Sequence, residues 1–282
     1  MALAFIPTVW AARLLTALEK AHIYGQTNVS NRDYEGDIRE AGNTVKIASI
    51  GEVSIGDYVK NLDIGDPEIL NDTEQSLMID RSKFFNFYVD SIDRAQQNVN
   101  TLDEAMKRAA WSLREVADNF IAGLMAAAVT AGNTLGTVAA PVVPTSATAY
   151  EMLVDLGVKL DEGNVPINDR FVIVPAWFHG LLLKDDRFVR SGTVKGDGAL
   201  ANGEVGEAAG FRILKSNKVP NTTGAKYKII AGHSMATAFA EQILDVQTYK
   251  PEKRFGDAVK GLHVYGAKVV RPAALAMMIA DK

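Results

Sequence analysis

The feature that most constrains the fold is one uninterrupted apolar period that starts at Thr101. Thr101-Leu-Asp-Glu104 has the spacing of a capping box, in which a hydroxyl and a carboxylate satisfy the first amide donors of a helix. From there Leu102, Met106, Ala109, Leu113, Val116, Phe120 and Leu124 recur at steps of four and three, and Gly132-Asn133 supplies the stop. About 28 residues at ~1.5 Å each make a helix of roughly 40 Å, long enough to cross a whole domain. A chain with such an element is organised around a spine.

The flanking patterns are of other kinds. Thr8 to Lys20 spaces Trp10, Leu14 and Leu18 by four and reads as an amphipathic helix that needs a surface to lie on. His22 to Gly42 is polar and without a clear period, so it reads as an extended arm outside any core. Thr44 to Ser49 and Leu77 to Val89 alternate as strands. Between them Gly51 to Gln75 carries Glu52, Asp57, Asp63, Asp66, Glu68, Asp72 and Glu74 against the single base Lys60. The result is a long hairpin whose acidic tip is too polar to fold on itself and finds its partner elsewhere.

After the spine, Thr134 to Thr148 is small and proline-containing, a passage to a second subdomain. Thr148-Ala-Tyr-Glu151 repeats the capping-box spacing and opens a helix to Glu162, ended by Gly163-Asn164. A buried-type strand, Arg170 to Val174, and a short helix, Ala176 to Lys184, follow. Ser191 to Gly210 holds six glycines and reads as a mobile loop. Strands are expected at Phe211 to Leu214, Tyr227 to Ala231, Leu244 to Tyr249, Leu262 to Val270 and Ala273 to Ile279, with a helix Ser234 to Gln242 among them. There is no internal repeat.

Composition removes most reaction classes. The 282 residues are 48% hydrophobic, enough for a substantial core, and contain no cysteine. Disulfides, thiolate nucleophiles, iron–sulfur clusters and zinc ribbons are therefore excluded. The four histidines, His22, His179, His233 and His263, form no i, i+4 pair and no H-E-x-x-H, so no metal site is expected. Thirty basic against 34 acidic side chains give a charge of −4, which argues against a broad basic face for naked nucleic acid. The apolar start, Met1 to Pro7, lacks a basic n-region, and no run approaches the ~18 apolar residues of a membrane span. The expectation is a soluble protein made inside the cell, with no membrane partner.

The sharpest catalytic pattern is Gly232-His-Ser-Met-Ala236, placed between a predicted strand and a predicted helix like the nucleophile elbow G-x-S-x-G. Ala236 stands where the second glycine belongs, and only 48 residues remain for an acid and a histidine; Asp245 or Asp257 with His263 fit the chain order alone. The alternative is a cap, with Ser234 or His233 satisfying free amides. Gly203-x-x-Gly206-x-x-x-Gly210 misses the dinucleotide spacing, and no phosphate loop or calcium loop is present. Asn28, Asn71 and Asn221 head chance matches to the glycan acceptor pattern. No catalytic, cofactor-binding or metal-ligating residue is assigned, and the expectation is a non-enzyme, with a Ser234 hydrolase as the alternative.

Three runs carry a family resemblance: Asn202-Gly-Glu-Val-Gly-Glu-Ala-Ala-Gly-Phe-Arg-Ile-Leu-Lys-Ser216, Ile230-Ala-Gly-His-Ser-Met-Ala-Thr-Ala-Phe239, and Phe255-Gly-Asp-Ala-Val-Lys-Gly-Leu-His-Val-Tyr-Gly-Ala-Lys268. With the order of elements, they make the chain resemble the major capsid proteins of tailed bacteriophages, the Hong Kong 97 fold. The resemblance implies an α+β capsid fold with an amino-terminal arm (1–43), an extended hairpin loop (44–90), a peripheral domain with the spine helix (91–145), an axial domain (146–242) and return strands of the peripheral domain (243–282). It implies a structural protein that self-assembles, as hexamers and pentamers, into an icosahedral virion shell around weakly contacted double-stranded DNA, with scaffolding and portal proteins as partners and no cofactor. An encapsulin-like compartment shares the fold. Lys60, the only lysine of the hairpin tip, has no identifiable isopeptide partner, so cross-linking is not expected.

Overall fold

The structure is a computed structural model that describes residues 22–33, 44–50, 57, 60, 72–90, 101–185, 204–222, 224–252 and 256–282. The expected helix over residues 8–20, the acidic tip over 51–71 apart from Asp57 and Lys60, and residues 191–203 of the glycine-rich stretch lie outside these residues. In chain order the strands are β1 Thr44–Ile50, β2 Asp72–Met78, β3 Arg81–Asp90, β4 Thr134–Leu135, β5 Arg170–Val174, β6 Glu204–Ala208, β7 Phe211–Lys215, β8 Asn221–Thr222, β9 Lys226–His233, β10 Thr237–Tyr249, β11 Gly256–Val269 and β12 Leu275–Asp281. The helices are α1 Thr101–Ala128, α2 Ala149–Glu162 and α3 Ala176–Leu182.

The principal core surrounds a mixed sheet ordered β4-β12-β9-β5-β7-β6, with β8 added to β9. Every residue of β5 is buried, and so are Leu275 to Ile279 of β12, as expected of strands covered on both faces. α2 lays Leu153, Leu156 and Leu160 into this core. The turn before β5 is fixed by Arg170, whose guanidinium donates to Asp161 (2.7 Å) and to the carbonyls of Val165 and Pro166.

A second sheet, β10-β11-β3, is a long antiparallel ribbon of 13-, 14- and 10-residue strands with a register shift between Ile243 and Asp245. α1 packs on it and reaches β9, so the spine links the two sheets. The hairpin β1–β2 runs in register from Thr44 opposite Met78 to Ile50 opposite Asp72. Ile47, Leu77 and Ile79 pack there against Ala238, Ala240 and Val264.

Several expectations are corrected. The spine runs over the expected length, but its buried side is Ala110, Leu113, Ala117, Ile121 and Met125, rotated from the face read through Val116 and Phe120. Alanines at 110 and 117 let the helix approach the sheets closely, and Val116 is left open. The run 77–89 is two strands, broken at Ile79-Asp80. Thr148 stands at the N-cap of α2 as expected, but its side chain makes no capping bond: its Oγ1 accepts from the Thr145 amide instead (3.0 Å). Glu204–Ala208, expected as mobile loop, is a strand joined to β7 by Ala209-Gly210; both residues have positive φ (50° and 77°), as a two-residue hairpin turn requires. Residues 234–242 are not a helix but a 3-10 turn, Ser234–Ala236, leading into β10. β12, at the expected strand Ala273 to Ile279, pairs with β9 and β4.

The largest correction concerns residues 22–33, expected as arm outside the core. His22, Tyr24, Val29 and Ser30 are fully buried. The segment is sewn to β10 by the Asn31 amide on the Thr237 carbonyl and the Phe239 amide on the Asn31 carbonyl (2.8 and 2.9 Å). Tyr24 and Val29 enter the principal core. Polarity misled because the polar groups here are paired with partners distant in sequence, which removes the cost of burying them.

Candidate functional site

The one sequence pattern with catalytic form does not assemble. Ser234 lies in a strand–turn–strand passage between two sheets, not at a strand-to-helix elbow. His233 Nδ1 accepts from the Met235 amide (3.1 Å), so the histidine acts as the cap. His263, the nominal general base, gives Nε2 to Glu241 (3.0 Å) and lies flat on Tyr265. Of the nominal acids, Asp257 and Asp245 have side chains outside the described set. Among the described residues no group of three or more His, Asp or Glu is arranged for a metal ion.

Two other features stand out. One is a set of open surfaces. β3 and the first half of α1 enclose an apolar groove lined by Phe84, Phe85, Ala109, Leu113 and Val116, with Lys83 and Arg108 at its edge. Phe84 is 79% exposed, and Trp111 and Val116 on α1 are also open. On α2, Val154 and Val158, one turn apart, face outward. Solvated aromatic and branched side chains at neighbouring sites are what a protein presents to a partner. The hairpin adds a projection: its inward face carries Ile47, Leu77 and Gln75, whose Nε2 donates to the Val270 carbonyl (3.3 Å), and Ser76 and Met78 face out.

The other feature is a buried charge cluster where residues 22–33 cross α1 and the ribbon. Asp118 of α1 accepts from the backbone amides of Ile23, Tyr24 and Gly25 (3.0–3.2 Å) and from His22 Nδ1 (2.9 Å). Glu241 of β10 accepts from His22 Nε2 (3.1 Å), His263 Nε2 (3.0 Å) and Arg32 Nη2 (2.6 Å). Burial works against a charged His22, but Glu241 and Asp118 overcome it and raise its pKa to about 9. Burial likewise works against the Glu241 carboxylate, and His22, His263 and Arg32 hold it far below the usual range. Sequence reading missed this cluster, since its members are spread over more than two hundred positions and share no motif.

The chain is similar throughout to known shell proteins. The family model for phage capsid proteins matches residues 74–278. A solved structure from Mycobacterium phage Che8 is 28% identical with a TM-score of 0.65, covering 88% of each chain. The capsid of cyanophage P-SCSP1u is 17% identical with a TM-score of 0.63, over 86% of this chain and 85% of that one. The holo-SrpI encapsulin complex from Synechococcus elongatus PCC 7942 is 12% identical with a TM-score of 0.53, over 86% and 84%. No curated protein sequence matches. A family match across most of the chain, on a mixed α+β fold like that of phage capsid proteins, leaves one conclusion: the chain belongs to the phage capsid protein family.

Proposed function

We propose that this family member is the major structural subunit of a phage head, built of hexamers and pentamers that close into an icosahedral shell around double-stranded DNA. The observation that carries the reading is the end-to-end likeness to the Che8 structure, which accounts for 88% of the chain at once. In this reading residues 44–90 form the extended loop, α1 is the spine of the peripheral domain (91–145), 146–242 make up the axial domain, and the last strands (243–282) return. The arm is the part of 1–43 that precedes the buried segment at 22–33. The loop's acidic tip lies on a neighbouring subunit, and the apolar groove beside Lys83 offers a surface for a neighbour to cover. Repetition of each contact around a closed shell turns weak pairwise binding into a stable particle. A mildly acidic subunit encloses DNA without gripping it. Synthesis in the host cytoplasm, scaffolding and portal proteins as further partners, and the absence of any enzymatic role complete the proposal.

The test is assembly. Purified protein brought to assembly conditions should give shells or tubes by electron microscopy, and deletion of residues 56–73 should leave a folded subunit that cannot close a shell. Persistent monomers of the intact chain under all conditions contradict the reading. The encapsulin fold likeness keeps a cargo-holding compartment in view, and the contents of the native particle, viral DNA or an enzyme, decide between the two.

A further inference from the structure

The buried cluster does more than fill space. His22 lies between two carboxylates, Nδ1 on Asp118 at 2.9 Å and Nε2 on Glu241 at 3.1 Å. With Asp118 and Glu241 ionised, both neighbours are pure acceptors. A neutral imidazole, which has one N–H, would set a lone pair against an anion; only the imidazolium satisfies both contacts. His263 is the opposite case on the same carboxylate. Its Nε2 meets Glu241, but its Nδ1 is buried without a hydrogen-bond partner, so only one of its two nitrogens is engaged. Two carboxylates, those of Asp118 and Glu241, thus face His22 and the guanidinium of Arg32.

The cluster joins separate parts of the molecule. His22, Tyr24 and Arg32 come from the amino-terminal segment, Asp118 from α1, Glu241 from β10, and His263 with Tyr265 from β11, beside which stand Asp80, just before β3, and Arg81 and Lys83 of β3. The guanidinium of Arg32 also donates to the Gly25 carbonyl (3.0 Å), which closes the segment on itself. Gly25 fits because a Cβ there would stand 3.0 Å from the Phe239 ring and 3.1 Å from His22. We infer that this cluster is a charged latch, a positioning device that clamps residues 22–33 to the spine helix and to the β10–β11 ribbon together, stays shut at neutral pH, and opens as a unit when His22 gives up its proton. The residues before 22 are thereby fixed at their root to a point midway along the spine. The inference does not depend on the shell reading, because every contact in it lies within one chain.

The sign of the pH response follows from the ring's charge. A histidine whose folded pKa is raised to about 9 contributes fully below about pH 6.5, and the contribution fades as pH rises through about 9. With those two values, protection of the segment should fall about 40-fold between pH 7 and pH 9. The experiment is hydrogen–deuterium exchange of the full-length chain at both pH values, corrected for the intrinsic exchange rate, with peptides from 22–33 compared with peptides from β5. The expected result is a large loss in the first and little in the second. His22→Gln, which keeps a donor for one carboxylate but cannot titrate, should start with weaker protection of 22–33 and show no pH dependence. If the variant fails to fold, the comparison of the two peptides within the wild-type chain still decides. Protection of 22–33 that changes less than threefold, or that falls equally in β5, overturns the latch. Micrographs of the same samples report assembly separately, so failure of the latch and failure of the shell reading are distinguishable.

Discussion

Gly266 offers the most demanding test of how the hairpin is held. It pairs with Ala240 near the start of β10 in the β10–β11 ladder, and a Cβ built there would lie 2.4 Å from the Met78 carbonyl oxygen and 3.0 Å from Ile79 Cα. Both neighbours are backbone of the chain leaving β2, so Gly266→Ala cannot be absorbed by a rotamer change. Restoring ordinary contact at 3.4 Å needs a displacement of about 1 Å. Such overpacking costs about 1–3 kcal/mol, which lowers the melting temperature by roughly 2–12 °C. The seat itself is stronger than that: burying Ile47, Leu77 and Ile79 contributes at most roughly 5–9 kcal/mol, so the hairpin should tilt rather than detach. A displacement of about 1 Å across the ~7 Å between Leu77 and Ile79 is a tilt of about 8°, and it carries Asp72, ~17 Å up the strand, by 2–3 Å. Assembly should therefore suffer more than folding. Thermal melts and negative-stain micrographs of Gly266→Ala would show a folded subunit with a lowered midpoint and few closed shells. An unchanged midpoint with normal shells would refute the close approach and the seating built on it.

Gly123 provides the converse, since a Cβ there meets nothing and the residue is an exposed position of α1; Gly123→Ala should stabilise by about 0.5–1 kcal/mol in a denaturant titration and leave assembly intact. Phe171→Ala, in the fully buried β5, should cost about 3–5 kcal/mol by the same measurement. Glu241 is held far below its ordinary pKa of 4.5, so its contribution is complete above that range and is lost as pH falls; unfolding free energies at pH 7, 5, 4 and 3 should decline more steeply in the wild-type chain than in Glu241→Gln. A fluorophosphonate probe should leave Ser234 unlabelled, with Ser234→Ala indistinguishable from wild type; specific labelling would restore the hydrolase alternative.

What the sequence made legible was whatever its local period determines. The spine could be read because 28 residues repeat one pattern, and the strand of Arg170–Val174 because five buried positions in succession leave no alternative. The rotation of the buried face of α1 was not legible. Side-chain size pointed to Val116, whereas close packing selected Ala110 and Ala117, and only the shape of the opposing sheets decides that. The strand assigned as a helix at 237–242 fails for a related reason. Thr237 to Gln242 suits either state locally, and its pairing with Val264 to Val269 settles the matter. The place of β12 beside β9 is likewise a property of topology, which no local pattern carries.

The charge cluster was illegible in a more instructive way. Each member has an ordinary reading alone: His22 as a polar arm residue, Asp118 as a position on the spine helix, Glu241 as part of the expected helix 234–242, and His263 as a strand residue. Burial of the charged members is tolerable because they are paired: removing one partner of a buried pair leaves an uncompensated charge, at a cost of about 3–5 kcal/mol, whereas well-packed apolar residues in place of the whole set are often as stable. Stability therefore does not explain the choice of charges. Apolar side chains would hold residues 22–33 against α1 in several neighbouring registers, but a carboxylate that takes three successive amides and one imidazole N–H accepts a single one. In a subunit whose contacts are repeated in an oligomeric shell, an error of register at residues 22–33 would recur in every copy. The cluster supplies direction where burial alone supplies only adhesion.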